Sequence, residues 1–379
     1  MKIEQSIWTP SRGWEPKTTT VLSENANLVL AFGARDLLAD PTHFEYLRKR
    51  YPKAHLVMAS TAGEIIDTKV FDGSIVVTAI HFEKTELKIA QTNIRETGSS
   101  VEAGRYLTDE LLSEDLCHIL VISDGQLVNG SALVQGLNEN LPQKISLTGG
   151  LAGDGPDFKH TLVGLNEPPD NGNIAAIGFY GTQLAVSHGT KGGWDPFGPE
   201  RIITRSEGNK LFELDGQNAL ELYKNYLGPL AKELPGSALL FPLSITPEKG
   251  DGALVRTILS VDESDQSMTF AGDVPQGTRT KLMKANFDRL VDGAVQAAES
   301  SLEPFGGQSP ELALLISCVG RKLVLNQRVE EEVEETREVF GSETVITGFY
   351  SYGEISPLVN SPKCELHNQT MTITTMREI

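Results

Sequence analysis

Residues 60–65 read Ser-Thr-Ala-Gly-Glu-Ile, and residues 351–355 read Ser-Tyr-Gly-Glu-Ile. Each phrase adjoins a mainly apolar run, LVMAS at 56–60 and TVITGFY at 344–350. Short apolar runs bounded by glycine read as buried strands, so both GEI loops leave the ends of strands. Working outward, the same order surrounds each loop. LVLAFGA (28–34) predicts a strand, and a helix follows with Asp40 as N-cap and Pro41 in its first turn. The loop TAGEI and a strand at 74–82 complete that unit. ELALLISCVGR (311–321), a helix over 329–340, the strand 344–350, the loop SYGEI and a final strand near 370–376 repeat it.

A third copy lies between them: ILVIS (119–123) running into Asp124-Gly125, a helix near 131–141, the strand 144–150, the turn LAGDGP and strands near 161–165 and 174–180. Gly33 and Gly63, Gly125 and Gly153, and Gly320 and Gly353 mark corresponding points. A period of this kind is the signature of one supersecondary unit used several times. The expected fold is α/β, in two related halves over roughly 20–200 and 201–379, built from repeated strand–glycine loop–helix–strand units with mixed sheets. Glycine loops at strand ends can gather on one rim, which is where α/β sheets bind ligands. Between about 200 and 300 the pattern changes: helices are expected over 209–228, closed by Gly228, and over 281–299, with strands between. The Gly/Pro-rich GWDPFGPE at 193–200 reads as a boundary.

The net charge of -18, from 33 basic and 51 acidic residues, repels phosphate backbones and anionic surfaces. Nucleic acid is therefore not an expected partner. No run approaches the ~18 apolar residues of a membrane helix, and MKIEQSIWTPSRGWEP lacks an apolar targeting core. Three cysteines without a CxxC pair fit a reducing compartment. A cytoplasmic protein without membrane insertion is the expectation.

Ordered along the chain, STAGEI (60–65), SDG (123–125), GGLAGDG (149–155), IGFYG (177–181), GGWDPFG (192–198), NALELYKNYLG (218–228), SCVGR (317–321), GFYSYGEISP (348–357) and LHNQTM (366–371) resemble the FIST family of bacterial sensory proteins, shared with eukaryotic F-box proteins. The resemblance covers roughly 28–375. It implies sensing of a small ligand such as an amino acid, and output through a separate signalling protein such as a histidine kinase or cyclase, in the manner of a two-component partner. Some family members resemble haem proteins of nitric-oxide signalling.

The residues themselves suggest where a ligand would sit. Backbone N–H groups and hydroxyls at Ser60, Thr61 and Gly63 can hold a carboxylate or amide, and Glu64 an ammonium; the alternative is a locally bonded turn. Asp124, Gly125, Gly149, Gly150 and Asp154 belong to the matching middle loops. GGLAGDG lacks the lysine of a phosphate loop, and no GxGxxG opens a helix, so a nucleotide site is not expected. Tyr350, Tyr352, Glu354, His367, Asn368 and Gln369 offer aromatic faces, a carboxylate, an imidazole and two amides, with Arg321 nearby in the repeat. Cys318, next to Arg321, and His367 can sketch a nucleophile and base, against the plainer expectation of a buried thiol. No two of the seven histidines stand at i,i+4 on an expected helix, so no metal site is predicted. His188 and His367 are the candidates for a single haem ligand.

Overall fold

The computed structural model describes residues 1–246, 253–306, 308–357 and 363–379. Its organising feature is a ring of three units, each with four core strands. The first unit contributes β1 (Lys2–Thr9), β2 (Leu28–Gly33), α1 (Pro41–Arg50), β3 (His55–Ser60), β4 (Glu64–Ile66) and β5 (Ile75–His81). The Asp40 carboxylate accepts from Thr42 N and Pro41 sits in the first turn, as the sequence predicts. The second unit contributes β6 (Glu86–Asn93), α2 (Ser100–Leu111), β7 (Leu116–Ser123), α3 (Gly130–Glu139), β8 (Ser146–Leu151), β9 (Val163–Leu165) and β10 (Asn173–Tyr180). The third contributes β11 (Leu184–Lys191), α4 (Phe287–Ser300), β12 (Leu312–Cys318), α5 (Val329–Phe340), β13 (Val345–Ser351), β14 (Gly353–Pro357) and β15 (Met371–Glu378).

In every unit the two strands joined through a helix are parallel (β2–β3, β7–β8, β12–β13), and all other pairings among these strands are antiparallel. Each unit also gives one strand away. β9 of the second unit pairs with β3 of the first, β14 of the third with β8 of the second, and β4 of the first with β13 of the third. The exchange closes the ring. It also means that the sequence division at 200/201 is not a division between sheets, since β11 lies antiparallel to β15.

The strands alternate between two buried faces. Leu28, Leu30 and Phe32 of β2 meet Leu120 and Ile122 of β7 and Leu314 and Ile316 of β12 in one central core. Val29 and Ala31 face outward onto Leu47 of α1. Burial on both faces explains why these strands read as continuous apolar runs. Phe32 and Phe349 join two units across this core, with ring centroids 4.6 Å apart.

An antiparallel sheet is inserted between β11 and α4. Its strands run in the order Leu254–Arg256, Leu243–Thr246, Arg279–Lys284, Asp195–Glu207, Lys210–Leu214, Ser267–Phe270, Ile258–Asp262. Here two helix expectations are shortened. Lys210–Leu214 is a strand that turns at Gly216, and the helix covers only Ala219–Leu227, capped by Asn218 and ended by Gly228. Likewise Arg279–Lys284 is a strand, and α4 begins after the Asn286 cap. In both places apolar spacing compatible with a helix is overridden by strand pairing.

Candidate functional site

The first and third units place an identical bonding pattern around their GEI carboxylates. The Thr61 hydroxyl donates to Glu64 Oε1 (2.6 Å), while Ser74 N (3.2 Å) and Ser74 Oγ (2.7 Å) donate to Oε2. The Ser351 hydroxyl donates to Glu354 Oε1 (2.7 Å), while Thr370 N (3.2 Å) and Thr370 Oγ1 (2.8 Å) donate to Oε2. Both carboxyls are buried. Burial pushes Glu64 up to about 7 and Glu354 up to about 8, against the opposing pull of those hydrogen bonds.

Asp154, which follows the corresponding glycine of the second unit, accepts from Lys159 N (2.9 Å), His160 N (2.8 Å) and the Tyr352 hydroxyl. Tyr352 also donates to Gly155 O, and its ring stacks on Phe158 at 4.4 Å with planes 13° apart. Asp154 and Tyr352 thus join a loop of the second unit to one of the third. They stand between two clefts.

The first cleft, of about 170 Å³, is walled by Ala34–Asp36, Thr61–Glu64, Asp72–Gly73 and Asp154–Gly155. Its carboxylates outnumber its cations: Arg35 pairs with Asp36, and Lys322 with Asp72 and the Ala62 carbonyl. The second cleft, of about 270 Å³, lies at the end of β7 and the start of α3. Gly125–Gly130, Leu151, Phe158 and Tyr352 form one side of it, and Asn209, Leu259 and Phe270–Gly272 of the inserted sheet form the other. Gly125 permits this geometry, because a Cβ there would stand 2.0 Å from Ala152 O. Asn129 caps α3 by accepting from Ala132 N. The first N–H groups of that helix have no intrahelical partner and carry the positive end of its dipole. Leu127 and Leu259 stay about half exposed at the mouth, at 50% and 41%.

Of the residues singled out by sequence, Thr61, Gly63, Glu64 and Asp154 line the first cleft, and Gly125 and Tyr352 the second. Others have structural roles. The Ser60 hydroxyl accepts from Leu162 N, docking the strand received from the second unit. Asp124 accepts four hydrogen bonds, from Gln126 N, Leu127 N, Thr161 Oγ1 and Gly172 N, and so shapes the loop. Gly149 and Gly150 lie within β8, where a Cβ would strike Val121 O or Ile316. Arg321 and Tyr350 are also withdrawn from solvent. Arg321 pairs with Glu332 at 2.7 Å, both side chains fully buried, and also donates to Gly192 O and Leu290 O; the Tyr350 hydroxyl donates to Glu332 Oε1. Glu332 lies on α5, and nothing in the local sequence announces that partnership.

Cys318 and His367, considered as nucleophile and base, are both buried, as the plainer expectation for the thiol has it. Burial and the nearby Glu354 drive the Cys318 thiol far above its ordinary range, so the thiolate is disfavoured. His367 is lowered to about 4 by burial, and its Nε2 faces Ser356 O at 3.0 Å. His188, the other haem candidate, is held below its ordinary pKa by burial on β11. Among the described residues no cluster of three or more His, Cys, Asp or Glu could hold a metal ion, and no helix is long and apolar enough to cross a membrane.

The ring of α/β units leaves clefts at its glycine loops, and crevices at strand ends are where α/β sheets bind ligands. The FIST N domain matches residues 27–217 and the FIST C domain residues 219–357, so the chain belongs to the FIST family. FIST domains are sensory domains that act in signal transduction. No curated protein matches the chain. Among solved structures it is similar to a chorismatase (11% identity, TM-score 0.35, 99% of this chain and 98% of that one). It is also similar to a cyanuric acid hydrolase from A. caulinodans (8% identity, TM-score 0.37, 93% and 90%). Neither likeness is strong enough to carry a function.

Proposed function

We propose that this protein senses a small carboxylate-bearing metabolite, an amino acid among the candidates, in the second cleft. The observation that carries the reading is the cleft itself: about 270 Å³ between the Gly125–Gly130 loop and the inserted sheet. The start of α3 offers N–H groups and a positive dipole end to a carboxylate. Leu151, Phe158, Tyr352 and Phe270 offer apolar and aromatic walls to the rest of the molecule. Asp273 is close by, with Oδ1 accepting from Asn129 Nδ2 at 3.4 Å, and suits an ammonium group.

A ligand held there touches both the ring and the inserted sheet. Its binding would draw Asn209, Leu259 and Phe270–Gly272 toward the second unit and alter the surface the protein presents. That change would reach a separate cytoplasmic signalling partner, with a histidine kinase or a cyclase as candidates. Net charge of -18 argues against nucleic acid as the partner. A thermal-shift screen of the ligand-free chain against amino acids and other small carboxylates tests the reading. A hit at 100 times its Kd raises stability by about 2.7 kcal/mol. No shift with any compound contradicts it.

A further inference from the structure

We propose a second ligand site in the third unit, where the carboxamides of Asn368 and Gln369 hold an uncharged carboxamide-type group beside Glu354 and Cys318. The turn 368–370 is anchored on every side except through these two side chains. Trp194 Nε1 donates to Gln369 O, Cys318 N donates to Thr370 O, and Thr370 holds Glu354. Asn368 and Gln369 are nonetheless fully buried with all four amide oxygen and nitrogen atoms unpartnered. Native folds pair nearly all such atoms, so four orphans on adjacent residues point to a missing partner.

The ring shows what this turn does elsewhere. Ser74 and Thr370 hold their carboxylates in the same way, and Ala34 N and Cys318 N donate to Ser74 O and Thr370 O respectively. Asp72-Gly73-Ser74 therefore corresponds to Asn368-Gln369-Thr370, and Asn171-Gly172-Asn173 is the copy in the second unit, with Asp124 N donating to Asn173 O. The middle residue has positive φ in all three: +70° at Gly73, +77° at Gly172 and +61° at Gln369. Only the third unit places a side chain at a position that favours glycine. In the first unit the turn walls an open cleft. In the third, the Gln369 amide fills the corresponding space and lies against Gly320, where a Cβ would come within 2.4 Å of Nε2.

The surroundings select for an uncharged group. The Arg321 guanidinium is engaged by Glu332, and Lys322 points away to Ala62 O and Asp72. Glu354 and Cys318 are both held toward their protonated forms by burial. Two carboxamides present donors and acceptors together, which a primary amide edge can satisfy and a carboxylate cannot. Entry requires Gln369 to swing off Gly320, which breaks no side-chain hydrogen bond.

Propionamide is the probe, titrated calorimetrically into the full chain, with propionate as control. Wild type should bind propionamide saturably and at least tenfold more tightly than propionate. Asn368→Leu and Gln369→Met replace orphaned polar groups by apolar ones of similar size and should remain folded, with unchanged or higher Tm; each should weaken propionamide at least tenfold. A high-resolution crystal structure with propionamide should show it on both amides. Absence of saturable binding, equal binding in the folded variants, or water alone at the turn would overturn the proposal. Second-cleft ligands are read separately in the same variants, which should bind them normally.

Discussion

The hydroxyl of Tyr352, carried by the third unit, donates to the carboxylate of Asp154, carried by the second, and forms the partition between the two open clefts. Tyr352→Phe keeps the ring stacked on Phe158 but removes that bond and the one to Gly155 O. The expected loss is about 1–2 kcal/mol in denaturant unfolding. Ligand affinity in the second cleft should fall less than with Tyr352→Ala, which removes the wall as well.

Glu64 and Glu354 predict an unusual pH dependence. Their folded values, about 7 and about 8, lie above the ordinary 4.5, so the native state holds protons that the unfolded chain releases. Their contribution is full below about pH 4.5 and is lost as pH rises through 7 and 8. The slope is at most ~1.4 kcal/mol per pH unit for each group. Stability measured from pH 5 to 8 should decline in wild type and flatten in Glu64→Gln and Glu354→Gln.

The buried Arg321–Glu332 pair predicts an asymmetric mutant cycle. Glu332→Ala strands a guanidinium in the core and should cost roughly 3–5 kcal/mol. The double variant Arg321→Met, Glu332→Leu should cost much less, as read by urea unfolding.

Thiol reactivity separates the three cysteines. Cys318 and Cys364 are buried with their thiols pushed well up, whereas Cys117 is only partly buried. With a disulfide reagent at pH 7 the native protein should titrate Cys117 first. Fast labelling of Cys318 would contradict that burial.

Much of the ring was legible because each β2-like strand is buried on both faces and its loop is marked by glycine. Strand ends, the Asp40 cap and the GEI repeat all followed from local pattern. The exchange of β4, β9 and β14 was not legible, because pairing Glu64 with Phe349 is a contact between residues far apart in the chain. Among residues that line the two clefts, Glu64, Asp154 and Tyr352 are readable from their loops. The burial of Arg321 and Tyr350 was not readable, since their partner Glu332 looks like any acidic residue of a solvated helix. Phe158, Leu127 and the Phe270–Gly272 wall were missed altogether; only the FAGD turn at 270–273 hinted at a close backbone approach.

A crystal structure of the full chain with the strongest hit from the carboxylate screen tests the central claim most directly. The account predicts density in the second cleft, with the carboxylate at the N-terminus of α3 and the remainder against Tyr352 and Phe158. A saturating ligand found elsewhere, with the cleft between Gly125–Gly130 and Phe270–Gly272 empty, would contradict it.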